Sequence, residues 1–457
     1  MRTAMNRRTA LKLLAAMSAG GPFARALTAN TAEDYRALVC VFLFGGLDCH
    51  DVLIPYDAAG WQDYARLRAP LLDAYGSRRA RSALLPLDAG AALEAGRQVA
   101  LPPELSSLKG LYDQGHLAFV ANVGPLVAPT DRAALDARSV PLPPRLFSHN
   151  DQQSIWQASA PEGAQYGWGG LFADAVISSG FNANPTFTAL TGGGADLFLT
   201  GRVNVPYQVN VSGPPGLELE EVLGDELGTS IADYTGLLDT IKGAASNILA
   251  RDLSTIMTRG FATNRGFAEA LASAPVPAAS FPATDLGAQL GAVARAMAAR
   301  DVLGVRRQLF LVGMGGFDTH SEQAITLPKL LTNLDQSLTA FRAALTELGL
   351  EDSVALFTAS DFGRTLAVNG DGTDHGWGGH HLIMGGGVHG ARVLGELPPV
   401  ALGHSQDAGG GRLIPTVAVD QYAGVLGRWF GLDEQGLAAA LPNLENFSNS
   451  PLHSLFA

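Results

Sequence analysis

The chain has 457 residues, 47% of them hydrophobic and only 16% charged, which excludes an intrinsically disordered protein and describes one able to bury a large core. A formal net charge of −12 excludes nucleic acid and anionic membrane surfaces as partners. The 54 glycines and 25 prolines predict many turns and close backbone approaches.

The first predicted element is an export signal over residues 1–26. A basic start with the pair Arg7-Arg8 precedes a short apolar stretch from Leu11 to Met17, and the small-residue end Ala24-Arg25-Ala26 follows. The run NRRTALK resembles the twin-arginine signal, with Asn6 and Ala10 in place of its serine and phenylalanine. The alternative is an ordinary amphipathic N-terminal helix. The apolar stretch is far short of the ~20 residues that span a bilayer, so no stable membrane span is expected. The signal implies the twin-arginine translocase as a partner during export, folding before export, and a periplasmic or secreted location. Without residues 1–26 the chain keeps 26 basic and 43 acidic residues, a still more negative surface. Cys40 and Cys49, nine apart around one predicted strand, would be separated by roughly 30 Å if extended, which forbids a disulfide.

From residue 27 onward the pattern is that of one α/β domain. The apolar run Ala37 to Phe44 reads as a strand buried on both faces, and it ends in GGLD, placing Asp48 just past the strand's carboxyl end. HLAFVANVG (116–124) is a second strand, and LFSHNDQQSIWQAS (146–159) turns into a helix with Ser148 or Asn150 as N-cap. Residues 180–215 read as irregular or short β structure, and about 218–300 as a helical insertion with apolar residues at i, i+3, i+4 spacing. Strand and helix then alternate: QLFLVGMGGFDTH, a long helix, SVALFTASDFGRT, the strand HHLIMGGG, and a closing helix VDQYAGVLGRWFGL.

Acids and histidines collect at the strand ends: Asp48, then Asp318 and His320 in GGFDTH, then Asp361 and Arg364 in SDFGRT, with Asp374-His375 and His380-His381 just beyond. The carboxyl edge of an open α/β sheet is where such groups converge, and Asp with His is the donor set of a divalent metal. The stretch 360–387 is thus a metal site, an anion cradle, or a glycine-rich surface loop. Ser148, entering a helix, stands where a nucleophile attacking a phosphate or sulfate would sit, or is a plain N-cap. Arg364 is an oxyanion clamp or a structural salt-bridge partner. His380 and His381 open a strand and point to opposite faces, so at most one reaches a given site.

Taken together, the twin-arginine start, GG-x-D, FSHxDQQ-x-x-W, GGFDTH, S-[DE]-FGRT, and DH followed by LIMGGG-x-x-G resemble an exported bacterial family. It is catalogued as a domain of unknown function and related to sulfatases and alkaline phosphatases. The resemblance spans essentially the whole chain. It implies a three-layer, alkaline-phosphatase-like/sulfatase-like α/β fold with a mostly parallel sheet, and one or two divalent ions (zinc, manganese or calcium) at its carboxyl edge. By the same resemblance Asp48 and Asp361 match the nucleophile-side metal, Asp318, His320 and His375 the other metal, and Ser148 the nucleophile. Three departures stand out. Phe362 replaces the histidine of the usual Asp-His pair, Asp318-x-His320 is tighter than the phosphatase spacing, and the formylglycine motif of sulfatases is absent. His149, His380 or His381 fills the gap, or one metal alone binds, or the site is degenerate. The function implied is a periplasmic metal-dependent hydrolase or transferase for small phosphate, phosphonate or sulfate esters. The competing expectation is a non-catalytic exported protein that binds a periplasmic partner.

Overall fold

The computed structural model describes residues 34–88, 96–192, 197–209 and 248–456. The expected signal at 1–26 and the first part of the expected helical insertion, 218–247, lie outside the described residues.

The run from Ala37 forms the strand Arg36–Leu43 at the middle of a nine-stranded sheet. It pairs in parallel with Arg307–Met314 on one side and Val354–Ser360 on the other, which is why its apolar residues run without alternation. Outward from Arg307–Met314 lie the short strands Ala189–Thr191 and Tyr207–Gln208, both parallel. Outward from Val354–Ser360 come Gly379–Gly385, then Leu117–Gly124, which in turn pairs in parallel with Arg392–Leu394 and Val417–Ala418.

Gly379–Gly385 runs antiparallel to both neighbours, the exception in an otherwise parallel sheet. Its chain returns from Val354–Ser360 through a hairpin, Arg364–Asn369 with Gly372–His375, rather than through a crossover helix, and a hairpin reverses direction. Arg364 and Thr365 of the SDFGRT segment therefore open a strand where a loop was expected, while 361–363 link it to Val354–Ser360.

The sheet lies between helices. Leu38, Cys40 and Phe42 share one buried cluster with Trp168 and Phe172 of the helix Trp168–Ser179 and with Tyr422 and Phe430 of Val419–Phe430. Val39 and Val41 point the other way and are equally buried; the helices Asp285–Ala298 and Gln323–Glu347, packed on each other, cover that side. Each fully buried Leu, Val or Phe here contributes about 1.5–3 kcal/mol. The result is a mixed, mostly parallel, three-layer α/β fold. Of the expected insertion, the described part holds the helices Ile248–Ser273 and Asp285–Ala298. Both cysteines are free and buried, as their spacing required. No helix among the described residues is long and apolar enough to cross a membrane.

Candidate functional site

Three chain segments meet beyond the carboxyl ends of the central strands. GGFDTH follows Arg307–Met314, the hairpin carrying Arg364 and His375 follows Val354–Ser360, and the helix His149–Ala158 brings its first residue. Gly45, at φ +112°, lets the GGLD loop press on GGFDTH, for a Cβ there would meet the amide of Asp318. Within the hairpin Arg364 stands directly opposite His375.

At the meeting point His149, Asp318 and His375 each offer a ligand atom, all within 4.8 Å of one another. His149 Nε2 is 3.5 Å from Asp318 Oδ2, and His375 Nε2 is 3.2 Å from Asp318 Oδ1. His320 joins them, its Nε2 3.2 Å from Asp318 Oδ1 and 2.9 Å from His375 Nε2. The far nitrogens of two of these rings are tied outward. His149 Nδ1 is 2.6 Å from Asp361 Oδ2, and His375 Nδ1 is 2.8 Å from the carbonyl of Phe147. Such acceptors fix Nδ1 as the donor and leave the Nε2 lone pair turned to the centre, the arrangement of metal-ligating imidazoles. Phe147 reaches this position with φ +73°, in the left-handed region a bulky side chain rarely adopts. The ring of Phe362 packs against both His149 (4.8 Å) and His375 (4.6 Å), so the residue in place of the expected histidine braces the two imidazoles.

The electrostatics follow from these contacts. Burial works to raise the Asp318 carboxyl, but the hydrogen bond and charge of Arg364 outweigh it and hold it below the usual range. The hydrogen bond to Asp361 raises His149, whereas burial lowers His375. Asp318 and His320 stay 42% and 43% exposed at the side chain, so the centre opens to solvent.

The expected residues divide. Asp318, His320 and His375 come together, and His149 stands among them. Asp361 is adjacent but faces outward: its Oδ2 takes His149 and Gln153 Nε2 (2.8 Å), while Oδ1 is buried with no hydrogen-bond partner. Asp48 stands apart, because the guanidinium of Arg68 holds both its oxygens and Gln323 adds a third hydrogen bond at 2.6 Å. Burial raises Asp48 and the Arg68 charge more than reverses this, leaving it lowered. Arg364 is no open clamp: Nη1 binds Asp318 Oδ1 at 2.6 Å and Gly45 O, Nη2 binds Thr373 O, and the side chain is fully buried. Ser148 is the N-cap position, with its hydroxyl donating to Asp151 Oδ2 at 3.0 Å.

His380 and His381 do point to opposite faces, and neither reaches the centre. His380 Nδ1 accepts from the amide of Asn122, and His381 packs on Trp156 and Tyr422. Burial pushes both down to about 3, so they are neutral core histidines.

Arg412 was not read from the sequence. Its Nε donates to the carbonyl of His375 at 2.8 Å, Nη1 to that of Gly409, and the cation lies 5.3 Å from the Phe147 ring. Among the described residues no carboxylate pairs with it. A half-buried positive charge thus sits beside the histidine centre without a counter-ion among the described residues.

Among solved structures, the chain is similar to the sulfatase PsFucS1 from Pseudoalteromonas sp., at 10% identity over 88% of this chain and 68% of that one, with a TM-score of 0.36. It is similar to Ps i-CgsB in complex with k-i-k-neocarrahexaose, at 10% identity over 91% and 77%, TM-score 0.35. A mutant of the alkaline phosphatase PafA matches at 11% identity over 72% and 63%, TM-score 0.26. No curated protein matches the chain. Over residues 35–440 the sequence matches, and the chain belongs to, the family described as "Protein of unknown function (DUF1501)".

Proposed function

We propose that the chain is a metal-dependent hydrolase or transferase for small phosphate, phosphonate or sulfate esters, acting outside the cytoplasm after twin-arginine export. The observation that carries this is the outward tying of His149 Nδ1 to Asp361 and of His375 Nδ1 to Phe147 O, which turns two Nε2 lone pairs on Asp318. The donor set fits a divalent ion: His149, Asp318 and His375 would hold it, with His320 as a fourth donor. Imidazole with carboxylate suits zinc, then manganese, and argues against calcium, which takes all-oxygen ligation. The buried, partnerless Oδ1 of Asp361 adds negative potential directly behind the centre.

A bound divalent ion supplies Lewis-acid polarisation of an ester oxygen and a more acidic water. The chain supplies the rest. Asp361 holds the His149 tautomer, Arg364 holds Asp318, and Phe362 seals the inner side of the two imidazoles. Arg412, without a carboxylate partner among the described residues, binds the anionic oxygens of the ester, whereas Arg364 is buried and committed to Asp318, Gly45 and Thr373.

The competing reading is a binding or assembly protein. It draws on Ser148, which stands at the N-cap with its hydroxyl on Asp151 and, among the described residues, makes no hydrogen bond to the histidine–aspartate centre. The discriminating experiment is turnover of aryl phosphate, phosphonate and sulfate esters with and without a chelator. Chelator-sensitive turnover that falls in Arg412→Ala for these anionic esters supports the hydrolase. A zinc-loaded protein inert to all three classes supports the binding protein.

A further inference from the structure

The GGLD motif is unexplained by the centre, since Asp48 ligates nothing there. Yet Asp48 is 1% exposed and sits at the head of an unbroken hydrogen-bond chain. Gln323, fully buried, opens the helix Gln323–Glu347 after Glu322, whose φ is +52°. Its Nε2 lies 2.6 Å from Asp48 Oδ2. An ionised carboxylate only accepts hydrogen bonds, so the amide must present its NH2 to Asp48; the flipped amide would set oxygen against oxygen.

The carbonyl of Gln323 therefore points the other way and must accept. It does so from Thr319 Oγ1 at 3.1 Å and Thr373 Oγ1 at 2.8 Å. A hydroxyl has one proton, so Thr373, having donated it, turns a lone pair outward and accepts from Arg364 Nε at 3.3 Å. The carbonyl of the same Thr373 accepts from Arg364 Nη2. Arg364 Nη1, fixed by both, meets Asp318 Oδ1 at 2.6 Å. Both threonines sit on the ligand-bearing segments, Thr319 between Asp318 and His320, Thr373 two residues before His375, and Thr373 N donates to Thr319 O at 3.1 Å.

We propose that Gln323 is a positioning residue for the histidine–aspartate centre, and that the buried Asp48–Arg68 pair orients its amide and, through the amide, the hydroxyls of Thr319 and Thr373 on the two ligand-bearing segments. The proposal rests on the metal-centre reading only for its affinity readout. With the amide flipped, its oxygen would face the Asp48 carboxylate and its NH2 the two threonine oxygens, whose protons would lose the acceptor that ties Thr319 and Thr373 together.

The test uses Gln323→Met, which keeps length and loses the amide, Thr373→Val, which loses only the hydroxyl, and Thr373→Ser, which restores it. Zinc affinity is measured by chelator competition, and ring Cε1–Hε1 NMR peaks of His320 and His375 are followed in metal-free protein. Gln323→Met and Thr373→Val are expected to weaken zinc about 10- to 100-fold, the usual effect of losing an outer-shell partner, and to shift both ring peaks. Thr373→Ser is expected to match the wild type. Unchanged affinity and unmoved peaks in the first two variants, whatever their melting temperatures, overturn the proposal. If wild-type protein takes no zinc, the metal reading fails by itself. The peaks then decide alone: shifts in Thr373→Val but not Thr373→Ser support the positioning role, and unmoved peaks overturn it.

Discussion

Acidification should destabilise this protein well above the carboxylate range, and the reason lies under the site rather than in it. His380 and His381 are buried (5% and 3% exposed), and burial lowers both from 6.5 to about 3. A histidine kept neutral by folding contributes stability that is fully present above 6.5 and is lost as pH falls toward its folded value, because the unfolded chain takes up the proton first. For one such group the loss between neutral pH and pH 5 is about 2 kcal/mol, and for the pair about 4 kcal/mol. That is a large share of the roughly 5–15 kcal/mol that holds most domains folded. His149 works in the opposite sense: raised by Asp361, its share is present below 6.5 and fades as pH rises through its elevated value. Buried Asp420, raised by burial, gains stability as it protonates, but nearer the carboxylate range. The assay is urea unfolding of chelator-treated protein at pH 7.5 and pH 5.0, for the wild type and His381→Leu. Buried His50, lowered to about 4, adds to the pair, so the wild type should lose at least about 4 kcal/mol and His381→Leu about 2 kcal/mol less than the wild type. Equal losses in the two proteins, or a wild-type midpoint that does not move, would refute the assignment of these histidines as neutral core residues.

Two further outcomes are expected. Arg68→Met should cost about 3–5 kcal/mol, since it leaves the Asp48 carboxylate buried without its partner, and Arg68→Met with Asp48→Leu should recover most of that in thermal unfolding while zinc affinity stays reduced. Asp361→Asn, which removes the charged acceptor of His149 Nδ1, should weaken zinc binding about 10- to 100-fold in chelator competition while far-ultraviolet circular dichroism stays that of the wild type.

Much of the fold was legible because buried parallel strands leave uninterrupted apolar runs, as 37–44, 117–124 and 354–360 do. The antiparallel Gly379–Gly385 was not, because the hairpin that reverses the chain is coded by turn residues inside the motif stretch itself. In the site, the strand-end rule pointed to Asp318, His320 and His375, which the fold places beside one another. It failed for Asp48, since nothing near GGLD shows that Arg68, twenty residues on, folds back onto the carboxylate. It also failed for Arg364 as a clamp, because its burial against Asp318, Thr373 and the carbonyl of Gly45 is a product of the fold that no side-chain pattern records. His149 carried a readable signal: with Gln153 it makes an i, i+4 pair on one helix face, and both meet Asp361 Oδ2. Arg412 left none, as its position depends on the fold of the 404–412 loop around Asp407.

The central claim is that His149, Asp318 and His375 hold a metal ion. The most direct measurement is elemental analysis of folded protein purified without chelator, beside Asp318→Ala. One equivalent of zinc or manganese in the wild type, absent from Asp318→Ala, is the predicted result. A wild type with no bound metal, or metal retained in full by Asp318→Ala, would contradict it.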